Sequence, residues 1–149
     1  MKKFCKCAVG GTFSFFHEGH RHLLKTALSM AHHLIVGITT REYLSRRPKR
    51  HPVETYELRA VNVLRYCLRN SRMGDIIEIV PLDDPYGPTL TDPALECIVV
   101  SEETFLTAVE INARRRELGL RPLDIVVVEM ILSPRSGEAL SSSELWSLE

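Results

Sequence analysis

The sequence predicts an α/β domain built on a five-stranded parallel sheet with helices on both faces. Short runs rich in Val and Ile recur along the 149 residues, and amphipathic helical patterns separate them. These runs are apolar at nearly every position, which is typical of parallel strands covered on both faces. The length suits one domain, predicted to span residues 1–149.

Five strands are predicted, at residues 4–9, 33–39, 75–80, 97–100 and 125–130. The first run ends at a glycine pair, and the last contains the unbroken run from Ile125 to Val128. Two long connections, residues 40–53 and 82–93, are predicted to be loops of functional length. Ligands of such sheets bind beyond the carboxyl ends of the strands, where these loops lie.

Three helices are predicted between the strands. The first follows His20 and presents a buried stripe of Leu23, Leu24, Ala27, Leu28 and Ala31. The second covers residues 54–70. Its predicted inner face is Leu58, Val61, Leu64 and Leu68, and its predicted basic outer face is Arg59, Arg65 and Arg69. The third covers residues 102–118, with Ser101 as the N-cap and Gly119 at its end.

The zero net charge hides a strong asymmetry along the chain. Residues 1–72 carry 14 basic and 4 acidic side chains, whereas residues 73–149 carry 5 and 15. Much of the basic excess lies in the 40s loop and the second helix, near the expected mouth of the sheet. The pattern predicts a local positive field for small phosphorylated ligands, rather than a nucleic-acid surface.

Cysteine and histidine spacing raises a metal hypothesis. Cys5 and Cys7 precede His17 and His20, and thiolate and imidazole are the ligands that zinc prefers. The stronger interpretation is that Cys5 and Cys7 lie on one face of the first strand as small buried side chains. No metal site is therefore predicted, and reduced thiols are expected in a chain without a recognisable export signal or apolar span.

The first strand leads through Gly10-Gly11-Thr12-Phe13 and His17-Glu18-Gly19-His20 into a helix. Glycines at a strand exit let the backbone approach a ligand closely, and the following helix start offers unpaired N–H groups to an anion. This string resembles the signature of the nucleotidyltransferase superfamily with a His-x-Gly-His motif. The resemblance implies a Rossmann-like nucleotidyltransferase fold.

Later motifs narrow the resemblance to archaeal-type phosphopantetheine adenylyltransferase. They are residues 56–59 (Tyr-Glu-Leu-Arg), 99–104, 111–115, 119–123 and the serine triplet 141–143. That family transfers AMP from ATP to 4′-phosphopantetheine, giving dephospho-coenzyme A and pyrophosphate in coenzyme A biosynthesis. Without a long apolar run or an export signal, the protein is expected to be cytoplasmic, with no membrane or nucleic-acid partner. Mg²⁺ is expected with ATP because a triphosphate is normally handled as its metal complex. Its oligomeric state stays open.

The resemblance also implies roles for single residues. Thr12 orients the attacking phosphate, His20 stabilises the five-coordinate α-phosphate, and His17 assists at the nucleotide phosphates. The implied ATP-binding residues are Gly10, Gly11, Thr12, Phe13, His17, Gly19, His20, Ser101, Ser141, Ser142 and Ser143. The implied ligands of the acceptor phosphate are Thr12, Arg46, Arg47 and Lys49. Arginine suits this task because its fork can bind phosphate through two hydrogen bonds.

Two departures from the family pattern leave alternatives open. Ser14 replaces the usual Asp after Thr-Phe. Trp146 stands three residues after the serine triplet, where relatives carry Arg or Lys, and Glu144 adds a negative charge nearby. One alternative is a cytidylyltransferase, or another adenylyltransferase with a different phosphorylated acceptor. The other is a nucleotide-binding protein without catalysis.

Overall fold

The computed structural model describes residues 2–46 and 52–129 of the chain. The strands are β1 (Phe4–Gly11), β2 (Ala31–Thr39), β3 (Ile76–Leu82), β4 (Cys97–Ser101) and β5 (Asp124–Val128). The α-helices are α1 (Glu18–Met30), α2 (Arg41–Arg46), α3 (Tyr56–Asn70) and α4 (Phe105–Glu117). Short 3₁₀ turns occupy Gly87–Leu90 and Glu102–Thr104. Within these ranges, no helix has both the length and the apolarity to cross a bilayer.

The five strands form one parallel sheet in the order β3-β2-β1-β4-β5. The predicted class, an α/β domain on a five-stranded parallel sheet, is confirmed. The chain moves outward from β1 to β3, returns to β4 on the other side of β1, and ends at the far edge. A crevice forms outside the carboxyl ends of β1 and β4 because the connections leave in opposite directions there.

Helices cover both faces of the sheet, as predicted. On one face, α1 and α3 pack over β1 and β2, with Leu24, Leu34 and Val63 fully buried between the layers. On the other face, α4 packs over β4 and β5, with Ala108 and Ile111 in the core. Gly119 has φ +78°, and Leu120 donates its N–H to the carbonyl of Arg115 at 2.8 Å, which ends α4 as its glycine predicts.

The predicted inner face of α3 is wrong. Leu58, Val61 and Leu68 are 49%, 46% and 59% exposed, whereas a stripe of Arg59, Val63 and Cys67 is buried. The helix lies close to α1 and the sheet through small side chains, and the buried guanidinium finds main-chain acceptors there. The pattern of large apolar residues is therefore a poor guide to the direction of this helix.

Two smaller predictions also fail. The segment after β2, expected to be a loop, begins with α2, where Leu44 donates its N–H to the carbonyl of Thr40 at 3.0 Å. Cys5 is exposed at the open amino end of β1, while Cys7 is buried beside Cys97. Contact with Cys97 and burial raise the pKa of the Cys7 thiol far above its usual range.

Candidate active site

A tight turn carries the chain from β1 into α1. Phe13 and Phe15 have φ values of +56° and +47°, a left-handed conformation that is strained for bulky residues. Phe13 and Ser14 are 2% and 0% exposed, so the turn is packed into the protein. The strain persists because the surrounding structure holds it, which is typical of a functional turn.

The two motif histidines cap the start of α1. His17 is the N-cap residue, and its Nδ1 accepts the N–H of Gly19 at 3.0 Å. His20 reaches back, and its Nδ1 accepts the N–H of His17 at 3.2 Å. The two rings stack with centroids 3.8 Å apart, and Phe16 stacks on the His20 ring at 5.7 Å. Because Nδ1 accepts in both rings, each neutral imidazole carries its proton on Nε2.

His17 remains neutral down to low pH. Burial, followed by the positive charge of Arg21, lowers its pKa from 6.5 to about 4, against a smaller opposing effect of Glu18. The residue is 7% exposed, and its Nε2 has no hydrogen-bond partner among the described residues. An unsatisfied buried N–H is costly, so this atom is suited to donating to an anionic oxygen of a ligand.

The burial of His17 predicts a stability change with pH. The unfolded chain binds a proton near pH 6.5 and the folded protein only near pH 4. The free energy of unfolding should therefore fall between those values on acidification, by up to about 3 kcal/mol from this residue. His17→Asn keeps an oxygen for the cap and should flatten the profile in urea titrations at a series of pH values. His22→Asn, at an exposed position of α1, is the control, and equal slopes in the two variants would contradict the assignment.

Arg59 connects the turn to two neighbouring elements. It is 1% exposed, and its Nη1 donates to the carbonyls of Thr12 at 3.0 Å and Thr39 at 2.8 Å. Its Nε donates to the carbonyl of Glu54 at 2.9 Å. The Thr39 hydroxyl also donates to the Thr12 hydroxyl at 3.0 Å. Burial lowers the Arg59 pKa, and the negative charge of Glu54 opposes that effect.

An apolar cleft of about 150 Å³ opens beside the glycine pair at the ends of β1 and β2. Its floor is the sheet, and its walls come from α2, α4 and the segment after β3. The wall residues include Tyr43, Leu82, Tyr86, Pro88, Thr107 and Ile111. Gly37 contributes to the floor, where a Cβ would lie 2.8 Å from the Leu82 side chain. The absence of that Cβ lets Leu82 pack against the sheet.

The structure places only part of the predicted phosphate-binding set. Arg46 ends α2, is exposed, and donates through Nη2 to the carbonyl of Asp83. Ser101 is 7% exposed at the carboxyl end of β4, and its N–H donates to the Thr104 hydroxyl at 3.3 Å. The other members lie outside the described residues: Arg47, Lys49, Ser141, Ser142 and Ser143. Trp146 and Glu144 also lie there.

A model of the cytidylyltransferase-like family matches residues 8–146. The chain is 41% identical over 145 residues to phosphopantetheine adenylyltransferase from Methanopyrus kandleri, which covers 97% of this chain and 90% of that protein. It is 40% identical over 144 residues to the protein of the same name from Methanothermobacter thermautotrophicus, covering 97% and 84%. This chain belongs to the phosphopantetheine adenylyltransferase family. The resemblance predicted from the motifs is confirmed.

Solved structures agree with the family's fold. A protein of unknown function from Archaeoglobus fulgidus superposes with a TM-score of 0.74 at 38% identity, covering 91% of this chain and 98% of that chain. Pantothenate synthetase from Thermus thermophilus superposes with a TM-score of 0.60 at 14% identity, covering 98% of this chain and 63% of that chain. The second likeness concerns the fold alone.

Sequence reasoning singles out neither Glu54 nor Thr39. It includes Arg59 in the motif at residues 56–59 but places it on the exposed face of the helix. Thr39 has a usable signal, because a polar residue at the carboxyl end of a predicted central strand faces the ligand edge of the sheet. Arg59 contacts Thr12, which lies 47 positions earlier in the sequence, and Glu54 contacts Ser14, which lies 40 positions earlier. No local sequence pattern reveals contacts over such separations.

Proposed function

We propose that the protein transfers AMP from ATP to 4′-phosphopantetheine, giving dephospho-coenzyme A and pyrophosphate. The observation that carries the proposal is the identity of 40–41%, over nearly the whole chain, with archaeal proteins named phosphopantetheine adenylyltransferase. The apolar cleft beside the glycine turn supports this acceptor, because it offers room for an uncharged arm next to a phosphate-binding turn. A role in coenzyme biosynthesis fits a cytoplasmic protein that acts on small molecules.

The reaction needs positioning more than proton transfer. The acceptor phosphate is already an anion at neutral pH, so its oxygen can attack the α-phosphorus of ATP while the bond to the pyrophosphate oxygen breaks. The charge that develops on the five-coordinate phosphorus requires donors held in place beforehand. Neither histidine is needed as an acid or a base, which agrees with a His17 that stays neutral above about pH 4.

The turn supplies the donors for both substrates. Thr12 orients the attacking phosphate, since Arg59 and Thr39 fix its main chain and hydroxyl. His20 stabilises the α-phosphate, and His17 directs its buried Nε2 to the nucleotide phosphates, while Gly19 leaves space beside them. Arg46 at the end of α2 binds the acceptor phosphate with the guanidinium donors that Asp83 does not use.

Mg²⁺ enters with the triphosphate as part of the substrate. Among residues 2–46 and 52–129, no group of three or more His, Cys, Asp or Glu side chains is arranged to hold a metal ion. The described site contains histidine, threonine and arginine donors, which suit phosphate oxygens better than a divalent cation. Our proposal is that these donors bind the phosphates of MgATP, with the metal ion carried by the nucleotide.

The acceptor can be tested by blocking the cleft. Thr107 is half-buried on α4 and lines the cleft, while the adjacent Leu106 is 77% exposed. Thr107→Trp should raise the KM for 4′-phosphopantetheine by at least about tenfold, equivalent to about 1.4 kcal/mol of binding. The KM for ATP should change little. Leu106→Trp is the matched control, and a Thr107→Trp enzyme with both KM values unchanged would place the acceptor elsewhere.

One assay tests the function itself. The protein is incubated with Mg²⁺, ATP and 4′-phosphopantetheine, and pyrophosphate and dephospho-coenzyme A are measured. A parallel reaction contains CTP and glycerol 3-phosphate. Product in the first reaction alone supports the proposal, and product in the second alone identifies a cytidylyltransferase. Tight MgATP binding with no product in either reaction would refute catalysis and leave a nucleotide-binding protein.

A further inference from the structure

Glu54 places a carboxylate against the phosphate-binding turn from outside it. Its Oε1 accepts the hydroxyl of Ser14 at 3.0 Å, and its Oε2 accepts the N–H of Phe15 at 2.9 Å. Glu54 precedes Thr55, the N-cap of α3, so it is delivered by a different element from the turn that it contacts. Ser14 itself carries no charge, so the carboxylate at this turn comes from position 54.

This contact falls on the most strained part of the turn. Ser14 lies between Phe13 and Phe15, whose φ values are both positive, and its side chain is fully buried. A charged acceptor forms stronger hydrogen bonds than a neutral one, so Glu54 is suited to hold the strained backbone in place. Thr12 precedes this segment and His17 follows it.

The negative charge is tolerated near anionic substrates because Arg59 is close. The Glu54 main-chain oxygen accepts from Arg59 Nε, and the carboxylate stabilises the charged guanidinium. Arg59 also donates to the carbonyl of Thr12, so the two side chains contact adjacent parts of the turn. The negative charge of Glu54 and the positive charge of Arg59 offset each other. Glu54 can therefore hold the Ser14 O–H and the Phe15 N–H without creating a net negative field that repels phosphate.

We propose that Glu54 is a positioning residue for adenylyl transfer, because its carboxylate holds the turn that aims Thr12, His17 and His20 at the two phosphates. The proposal rests on the function proposed above. Glu54 touches neither substrate and acts through Ser14 and Phe15. A displacement of the turn by a fraction of an ångström misaligns the reacting groups, so the effect falls on kcat.

Two substitutions that each do harm should compensate for each other. Glu54→Gln removes the charge, and we expect kcat to fall by about tenfold with both KM values changed by less than about threefold. Ser14→Asp sets two carboxylates against each other, and kcat should also fall. In the double variant, the new amide at position 54 can donate to the new carboxylate at position 14, while the amide oxygen accepts from Phe15. That arrangement restores one carboxylate, and kcat should return to within about threefold of the wild type.

Glu57→Gln is the matched control. It removes the same charge from an exposed residue in the first turn of α3, near Arg59, and should keep kcat within about twofold of the wild type. A Glu54→Gln enzyme that behaves like Glu57→Gln would overturn the proposal. A double variant no better than Glu54→Gln would also overturn it, because a carboxylate restored at the turn would then not restore the alignment.

Amide hydrogen exchange separates this proposal from the proposed function. The Phe15 N–H should exchange faster in Glu54→Gln than in Glu57→Gln, because its charged acceptor is gone. Faster exchange supports the positioning contact even if the wild type gives no product with ATP and 4′-phosphopantetheine, a result that would defeat only the assigned reaction. Equal exchange in the two variants would overturn the contact itself.

Discussion

His20→Ala is expected to lower kcat by about 10²–10³-fold, a loss of about 3 to 4 kcal/mol of transition-state stabilisation. The imidazole is held by the N–H of His17 and by stacking between His17 and Phe16, so its Nε2 proton has a defined direction. Alanine removes the donor and offers nothing in its place. Steady-state kinetics with ATP and 4′-phosphopantetheine measure the loss, which should fall on kcat more than on either KM.

The fold should survive this change. His20→Ala leaves one N–H of the α1 start without its acceptor, which costs about 1 kcal/mol of stability. His22→Ala, at an exposed position of the same helix, is the control and should keep full activity. A folded His20→Ala enzyme that turns over at the wild-type rate would show that the site has been placed wrongly.

Arg59→Met is expected to destabilise the protein by about 3 to 5 kcal/mol and to abolish activity at moderate temperature. Three main-chain oxygens, of Thr12, Thr39 and Glu54, lose their donor inside the protein. Methionine fills much of the volume and avoids burying a charge, and that gain offsets only part of the loss. Urea unfolding monitored by circular dichroism measures the change in free energy.

Arg69→Met is the control for Arg59→Met, because it removes an exposed arginine from the same helix. Its stability should lie within about 0.5 kcal/mol of the wild type. If Arg59→Met were equally harmless, the guanidinium would not be the link between β1, β2 and α3. Arg59→Lys should be intermediate, since a single ammonium cannot donate to the same three oxygens in one planar arrangement.

The parts of the fold that depend on continuous apolar patterns are predictable from sequence. All five strands, α1 and α4 occur where the Val, Ile and Leu patterns place them, with ends that differ by a few residues. A parallel sheet is predictable because the strands are apolar at nearly every position and do not alternate between apolar and polar residues. The inner face of α3 is not predictable in this way, because its buried stripe is led by Arg59 and the large apolar residues Leu58 and Leu68 face solvent.

The candidate site likewise has a part that the sequence predicts and a part that it does not. Gly10, Thr12, His17 and His20 are close in sequence, so one motif reveals them and the structure brings them to one turn. Their supports, Glu54 and Arg59, come from a segment that approaches only when the chain is folded. An Arg among other arginines on a helix looks like part of a solvated face, and only its packing shows that it bonds to main-chain carbonyls.

The histidine cap of α1 also determines which parts of the protein are able to move. His17 and His20 make the hydrogen bonds that begin the helix, so neither ring can swing aside without unwinding its first turn. α2 and the segment from Leu82 to Leu90 also line the cleft, but they take no part in this cap, so they can shift without unwinding α1. The direction of the two rings is therefore tied to the helix itself, whereas Arg46, at the end of α2, belongs to a different element.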